Sequence, residues 1–477
     1  MPQEEVIYFC LLIATNCNNI EYHKQWYLEA KMILDKDAFG IWSFIAKKAF
    51  KSTFLKPDLN SSEELLRNSF NNKTKIGVYL HIPFCKSLCP ACPYVRTLWN
   101  EELVNSYLEA LKNEIKMYGK LLNGLGLKVD NIHAGGGTPS LLNPGQYQEI
   151  LDTLNQYFEV DKEAVFGIEA NPQDMTREKA SGLVGAGITE LSIGVQSFHR
   201  KNLKMLGRGH SVEDSLEALE NARGAGFNFI NIDLMYMLPG QTVNEWGQDL
   251  KMATKQDVDE ITTYPLLITH FVPMYRRLKN GSLKSQPSKR VFKKMFYTTF
   301  DVLESASYKP LELYGFSKTN EKYATVNLEM EGPLLGFGCG AMGFTGSYEY
   351  QNTCSVREYI RSAMSGSLPI AGERAVDVKE RTIRWVTSRL FICRGFNLCD
   401  FEAEFGGNFS HKIGEFDKVL KILKFLGIIT ADRERIELTR RGLFSANLLT
   451  WAFVLHVPCQ MAGKYSETPW PPKVVIP

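Results

Sequence analysis

The chain is 477 residues long, too long for one ordinary domain and suited to a large domain with a smaller companion. It is 44% hydrophobic, 12% aromatic and 23% charged, the balance of a globular protein with an ample core. Lys and Arg number 55 against 53 Asp and Glu, so the net charge of +2 leaves no electrostatic footprint for nucleic acid or an anionic membrane.

The first 75 residues read as a helical extension that ends in a polar connector over 60–75. Its most apolar run, 7–14, is too short to span a bilayer. The run follows Glu4 and Glu5 rather than a basic segment, which makes a poor secretory signal. A cytoplasmic location is therefore expected. Seven of the ten cysteines (Cys10, Cys17, Cys339, Cys354, Cys393, Cys399 and Cys459) lie at no framework spacing, as plain thiols do in a reducing compartment.

From 76 to 270 strand-like and helix-like segments alternate. Predicted strands cover 77–82, 129–134, 165–170, 190–195, 229–236 and 261–269, and most are followed closely by Gly, Pro, Asn or Gln. Between them, Leu103, Tyr107, Leu111 and Ile115 recur on one helical face, and Ser211 with Asp214 forms a capping box. Six such units predict an α/β fold with a parallel sheet, as a partial (β/α)6 barrel rather than an open doubly wound sheet. In both architectures the site belongs at the C-terminal ends of the strands. Residues 271–372 read as an irregular region flanking the barrel, with the glycine-rich stretch "LGFGCGAMGFTG" at 335–346. Residues 373–450 read as a small helical module whose stretch 423–442 has the helix, charged hairpin and strand of a winged-helix-like end. The tail, 451–477, is Pro-rich.

The densest chemical signal is "GVYLHIPFCKSLCPACPYVRT" at 77–97, with Cys85, Cys89 and Cys92 on a loop after the first strand. An odd number of thiols in a reducing compartment disfavours a disulfide. Two metal readings stay open. Structural zinc needs four ligands, and the nearest fourth, His81, lies inside the strand on the face of Tyr79. A four-iron cluster held by three cysteines leaves one iron open, as a catalytic centre requires.

The C-x3-C-x2-C spacing after a first strand resembles the signature of the radical S-adenosylmethionine (SAM) superfamily. "YLHIPFC" at 79–85 is more specific, and resembles the oxygen-independent coproporphyrinogen III dehydrogenase-like branch. The resemblance covers roughly 75–450. It implies a [4Fe–4S] cluster on Cys85, Cys89 and Cys92, and two molecules of SAM. Many members carry an aromatic residue before the third cysteine, where this chain has Ala91. The resemblance also implies a SAM-binding set: Tyr79 and His81 before the cysteines; Gly135, Gly136, Gly137 and Thr138 in "HAGGGTPSLL"; Glu169 in "IEANP"; Gln196 in "LSIGVQSF"; Arg208 in "LGRGHS"; and Asp233 in "NIDLMYMLPGQT". The stretch holding Gly338 and Ala341 resembles the region near a second SAM or the substrate, with His270 and Tyr275 facing the same cavity.

Within that branch the coproporphyrinogen dehydrogenases carry a further cysteine where this chain has Tyr94, and an N-terminal Arg-Tyr-Thr-Ser-Tyr-Pro-like segment that is absent here. The heme chaperones carry an Arg-His-Asn segment before the glycine-rich stretch, absent from 319–338. The resemblance that remains is to members that use a second SAM as one-carbon donor. It implies methylation or cyclopropanation of an sp2 carbon, with porphyrin or heme modification, or heme chaperoning, as the alternatives. An unsaturated or tetrapyrrole substrate and a reducing partner such as flavodoxin or ferredoxin go with it.

Overall fold

The computed structural model describes residues 63–71, 73–268, 272–319, 321–324, 332–414 and 416–456. These fall into two compact units, 63–376 and 377–456. The extension before residue 63, His270 and the tail beyond 456 lie outside the described residues.

The larger unit is built on a 12-stranded sheet. Its centre is six parallel strands: β1 (Lys75–Ile82), β4 (Lys128–Gly136), β5 (Glu159–Ala170), β6 (Glu190–Gln196), β7 (Phe229–Tyr236) and β8 (Glu260–Pro265). The minor strands β2 (Phe84–Cys85) and β3 (Thr97–Leu98) pair with each other. The connecting helices start as the sequence dictates. Asn143, Ser211 and Thr242 each form a full capping box, which satisfies N–H groups that a helix start leaves without partners.

The two faces of the six strands differ in character. One carries Ile76, Val78, Leu80, Ile82, Ile132, Ile168, Leu191, Ile193, Ile232 and Ile261, all buried. The other carries polar groups that bond across strands: Asn231 reaches Ser192 at 2.8 Å, Thr262 reaches Asn231 at 3.0 Å, and Ser192 reaches Asp233 at 3.2 Å. The period of two separates these sets. Where a packed parallel barrel is lined by branched aliphatics, this one is lined by amides, hydroxyls and carboxylates.

Two departures from expectation concern the edges. The predicted strand over 261–269 stops at Pro265. The region 271–372 is not irregular. It supplies the 17-residue helix Lys289–Ser305 and six strands of the main sheet. β9 (Lys309–Pro310) and β10 (Gly315–Ser317) extend the β8 edge in antiparallel fashion. β11 (Leu334–Phe337) pairs parallel to β1, and β12 (Met342–Phe344), β13 (Tyr348–Asn352) and β14 (Ile370–Ala375) continue antiparallel beyond it. These strands are short and glycine-broken, so local pattern reveals them poorly. Residues 63–69 of the expected connector form a short helix that buries Leu66.

The smaller unit packs Trp385 edge-on against Phe396, Phe401 and Phe405. Its strand β15 (Gly395–Asn397) pairs with the hairpin of β16 (Ile429–Ala431) and β17 (Arg435–Leu438). The hairpin falls inside the stretch 423–442 that the sequence reads as a winged-helix-like end, and a helix, Arg440–His456, follows it.

Candidate cofactor site

The cysteines leave the C-terminal end of β1 on a loop closed at its base. Thr97 N donates to Pro83 O at 2.7 Å and Trp99 N to Cys85 O at 2.9 Å. Arg96 holds the loop from inside, its guanidinium donating to Tyr94 O at 3.0 Å and Cys89 O at 3.1 Å. Ala91, where relatives often carry an aromatic, is buried with Leu206, Leu238, Leu266 and Met274, and Met274 N donates to Pro90 O at 2.9 Å. Tyr275 packs on that apolar cluster rather than standing alone in a cavity.

Cys85 is buried, while Cys89 and Cys92 are half-buried. Thr138 Oγ1 donates to Cys85 Sγ at 3.5 Å, and Cys89 Sγ lies 4.0 Å from both Gly207 O and Arg208 Nη1. Burial raises the Cys85 thiol and pushes Cys92 up to about 11; the thiols oppose one another's ionisation, and Arg96 pulls the other way. Thiols this close, beside two guanidinium groups, suit a centre whose metal ions take over the work of stabilising thiolates. Among the described residues no three His, Cys, Asp or Glu side chains close on a point as ligands of one metal ion do.

The glycines after β4 wrap the base of this loop. Gly136 has φ +114°, and a Cβ there would lie 2.6 Å from the His81 ring. At Gly137 a Cβ would lie 2.7 Å from the backbone of Pro83. His81 is a brace. Nδ1 meets the Tyr79 hydroxyl at 3.1 Å and Nε2 meets Val95 O at 2.9 Å, and burial holds the imidazole down to about 4. With both nitrogens engaged, His81 has no free atom for a metal or a cofactor.

The remaining candidates line the polar face at the strand ends. Glu169 accepts from Gly136 N at 3.3 Å. Gln196 ends β6 with φ +66°, a left-handed conformation rare outside glycine, and takes the Tyr264 hydroxyl at 3.0 Å. Arg208 donates to Gly194 O at 3.1 Å, and its Nε is buried without a hydrogen-bond partner, as is Nε of Arg96. Burial pushes Asp233 up to about 6, against the pull of Ser192, Asn231 and the Arg208 charge. The structure thus brings the three cysteines, Gly135 to Thr138, Glu169, Gln196, Arg208 and Asp233 to one end of the parallel strands. The Gly338–Ala341 stretch comes to the same end from β11: a Cβ on Gly338 would lie 2.6 Å from His81 O, and one on Gly340 would lie 2.8 Å from Val95.

Sequence reasoning missed Arg96, Tyr264 and the buried Glu114. Glu114 carried a readable sign, a carboxylate on the same helical face as Tyr107, Leu111 and Tyr118.

The Radical SAM superfamily model matches residues 79–253, a segment that holds the three cysteines and the strand ends described above, and the cofactors of that superfamily are a [4Fe–4S] cluster and SAM. The chain is 28% identical to the heme chaperone HemW of Bacillus subtilis (strain 168) over 380 residues, which is 79% of this chain and 99% of that protein. It is 27% identical to the oxygen-independent coproporphyrinogen III oxidase of Pseudomonas aeruginosa PAO1 over 422 residues, 84% of this chain and 90% of the relative. The solved structure of coproporphyrinogen III oxidase (HemN) from Escherichia coli, described as a radical SAM enzyme, shares the fold, with a TM-score of 0.71, 23% identity, and coverage of 83% of this chain and 94% of that one. Along most of its length the chain is thus similar to proteins of the coproporphyrinogen III oxidase-like branch.

The residues present fit both cofactors. Three thiols on one loop are the donor set of a site-differentiated cluster. Two guanidinium nitrogens without partners, beside glycine backbone that any side chain would displace, suit an anionic and closely approached ligand. Among the described residues no helix is long and apolar enough to cross a membrane.

Proposed function

We propose that the protein is a radical SAM enzyme acting on a tetrapyrrole, a porphyrin, porphyrinogen or heme. The one-carbon transfer to a general sp2 carbon suggested by sequence motifs yields here to the tetrapyrrole alternative, since both relatives named above are proteins of heme or coproporphyrinogen. The observation that carries this reading is the orphaned Nε of Arg208 beside Cys89, a prepared anion position next to the thiols whose charge also acts on Asp233.

In this reading Cys85, Cys89 and Cys92 ligate the cluster. A reduced cluster with SAM bound there would supply radical hydrogen-abstraction chemistry. The chain's own groups bind and orient. Arg208 pairs with the methionyl carboxylate, the backbone of Gly135 to Gly137 takes the methionyl amino group, and Glu169, Gln196 and Asp233 receive the ribose and sulfonium region. Arg96 and the Ala91 cluster hold the loop rigid and keep water from its inner side.

The test is anaerobic reconstitution with iron, sulfide, dithionite and SAM, with heme or coproporphyrinogen III added. The expected result is 5′-deoxyadenosine formed in step with a mass change of the tetrapyrrole. A second reading, a heme chaperone, is favoured by the match along 99% of the chaperone's length. Stoichiometric heme binding with no change in heme mass would select it.

A further inference from the structure

The overall balance of +2 conceals an uneven distribution of charge. Between Glu260 and Asp301 the chain carries eight Lys and Arg and no Asp or Glu. Arg276, Arg277 and Lys279 close the helix Pro273–Lys279, Lys284 follows in the connector, and the other four open the helix Lys289–Ser305 over 289–294. All eight are exposed. Elsewhere cations such as Lys75, Lys128 and Arg200 stand against carboxylates, whereas among the described residues no ion pair holds any of these eight. A run of cations is usually a solvated face, and its placement decides whether it is more.

This run is fixed to the end of the parallel strands that carries the cysteines. Met274 N donates to Pro90 O at 2.9 Å, between Cys89 and Cys92, and Val272, Met274 and Leu278 pack with Ala91 and Leu206. Gln286 Nε2 donates to Met237 O and Leu266 O, both at 3.0 Å, which ties the connector across the residues that follow β7 and β8. Gly240 N donates to Ser285 O at 3.1 Å in the same connector. The cysteine loop presents apolar side chains of its own. Leu88, Tyr94 and Leu98 are three of the eight large hydrophobic side chains that stand exposed among the described residues. Lys204, three residues before the Gly207 carbonyl that faces Cys89, is exposed as well.

Exposed apolar tips near unpaired charges of one sign are what a surface shows where it meets a partner of the opposite sign. The position says what that partner carries. A cluster held by Cys85, Cys89 and Cys92 needs an electron from outside the chain for each turn of its chemistry. Cys89 and Cys92, both half-buried, flank the Pro90–Ala91 pair on which the cationic helix sits.

We infer that the helix Pro273–Lys279 and the connector after it, beside the cysteine loop, form the docking surface for an acidic protein that carries a one-electron redox group. The step is the transfer of a single electron: the carrier loses one, the cluster gains one, and no bond forms or breaks. Charges placed in this way speed the encounter rather than hold a long-lived complex, as suits the small interfaces of electron-transfer pairs. The inference rests on reading the three cysteines as cluster ligands and is independent of the tetrapyrrole assignment.

The test uses the full-length, cluster-loaded protein and two probes, a reduced flavodoxin and a reduced plant-type ferredoxin, each of net negative charge, mixed by stopped flow. Oxidation of the probe gives a second-order rate constant. For the wild type it should fall steeply between about 0.01 and 0.15 M salt, where the Debye length shortens from about 30 Å to about 8 Å. Arg276→Glu with Arg277→Glu and Lys279→Glu should lower it at least about tenfold at low salt and flatten its salt dependence. Gln at the same three positions should give an intermediate rate, and keeps a readout where reversed charge in the last turn of a short helix disturbs folding. Lys116→Glu with Lys120→Glu and Lys162→Glu makes the same change of net charge on exposed cations elsewhere, and should stay within about twofold of the wild type. With dithionite as reductant, 5′-deoxyadenosine formation should be equal in all four proteins. Salt-independent reduction of the wild type, no reduction by either probe, or equal slowing by the two triple reversals would overturn the assignment. A wild type that gives no 5′-deoxyadenosine with dithionite and SAM would remove the cluster reading beneath it, and an unchanged tetrapyrrole mass would remove the proposed function alone.

Discussion

Gly136→Ala tests how rigidly the base of the cofactor loop is built. Two costs add. The backbone sits at φ +114°, where a β-carbon costs about 1–3 kcal/mol. The new Cβ would also lie 2.6 Å from His81 Cε1 and 2.8 Å from both ring nitrogens. The ring has nowhere to retreat, because Tyr79 holds Nδ1 and Val95 O holds Nε2. Displacing it breaks two hydrogen bonds at about 1 kcal/mol each. The sum is about 3–5 kcal/mol. Gly226→Ala is the internal reference. It has φ +88° with nothing within 4 Å of its Cβ, so only the backbone cost of about 1–2 kcal/mol applies. Both sites lie in the same unit, so urea unfolding of the cofactor-free protein reads one transition for both. The expected gap is about 2 kcal/mol. Equal destabilisation would show that the His81 ring yields freely, and the bracing argument would fail.

Alanine at Cys85, Cys89 or Cys92 should each abolish the brown absorbance of the reconstituted protein while its far-ultraviolet circular dichroism stays that of the wild type. Arg208→Lys keeps the charge but loses the fork that reaches Gly194 O and the unpaired Nε, so SAM affinity measured by dialysis should fall about tenfold with cluster content unchanged; undiminished affinity would remove Arg208 from the site. Stability of the cofactor-free protein should fall as pH rises. Burial lifts Glu114 and Glu190 to about 7 and Asp233 to about 6 and also raises Glu260, so the folded state holds protons that the unfolded chain has released. Their contribution is complete below the ordinary carboxylate range and gone above about pH 7. Between pH 5.5 and 8 Glu114 alone accounts for about 2 kcal/mol. The imidazoles of His81, His133 and His210, buried neutral, oppose this trend below their ordinary range near 6.5, so the test lies above it: a urea midpoint that rises between pH 7 and 8 would contradict the burial of these acids.

The parallel core was legible because strands covered on one face by helices read as apolar runs ended by turn residues, as at 190–196 and 229–236. The cysteine spacing was legible because three thiols in eight residues have few other uses. β11 to β14 were not, since strands of three to six residues with glycines at 336, 343 and 372 owe their pairing to partners far along the chain. Of Glu114 only the burial was legible, from its place on the apolar helix face; its donors, Gly338, Asn352 and Tyr359, come from more than 200 positions later. At His81 the motif names the residue without saying that both ring nitrogens bond to Tyr79 and Val95.

β1 is flanked by β4 on one side and by β11 on the other, and the glycine stretch that follows β11 presses on Val95 at the exit of the thiol loop. As the chain is synthesised, the thiols and all six central strands precede that last neighbour. Until residues 334–341 arrive, β1 has one flank without a partner strand, and their pairing closes it.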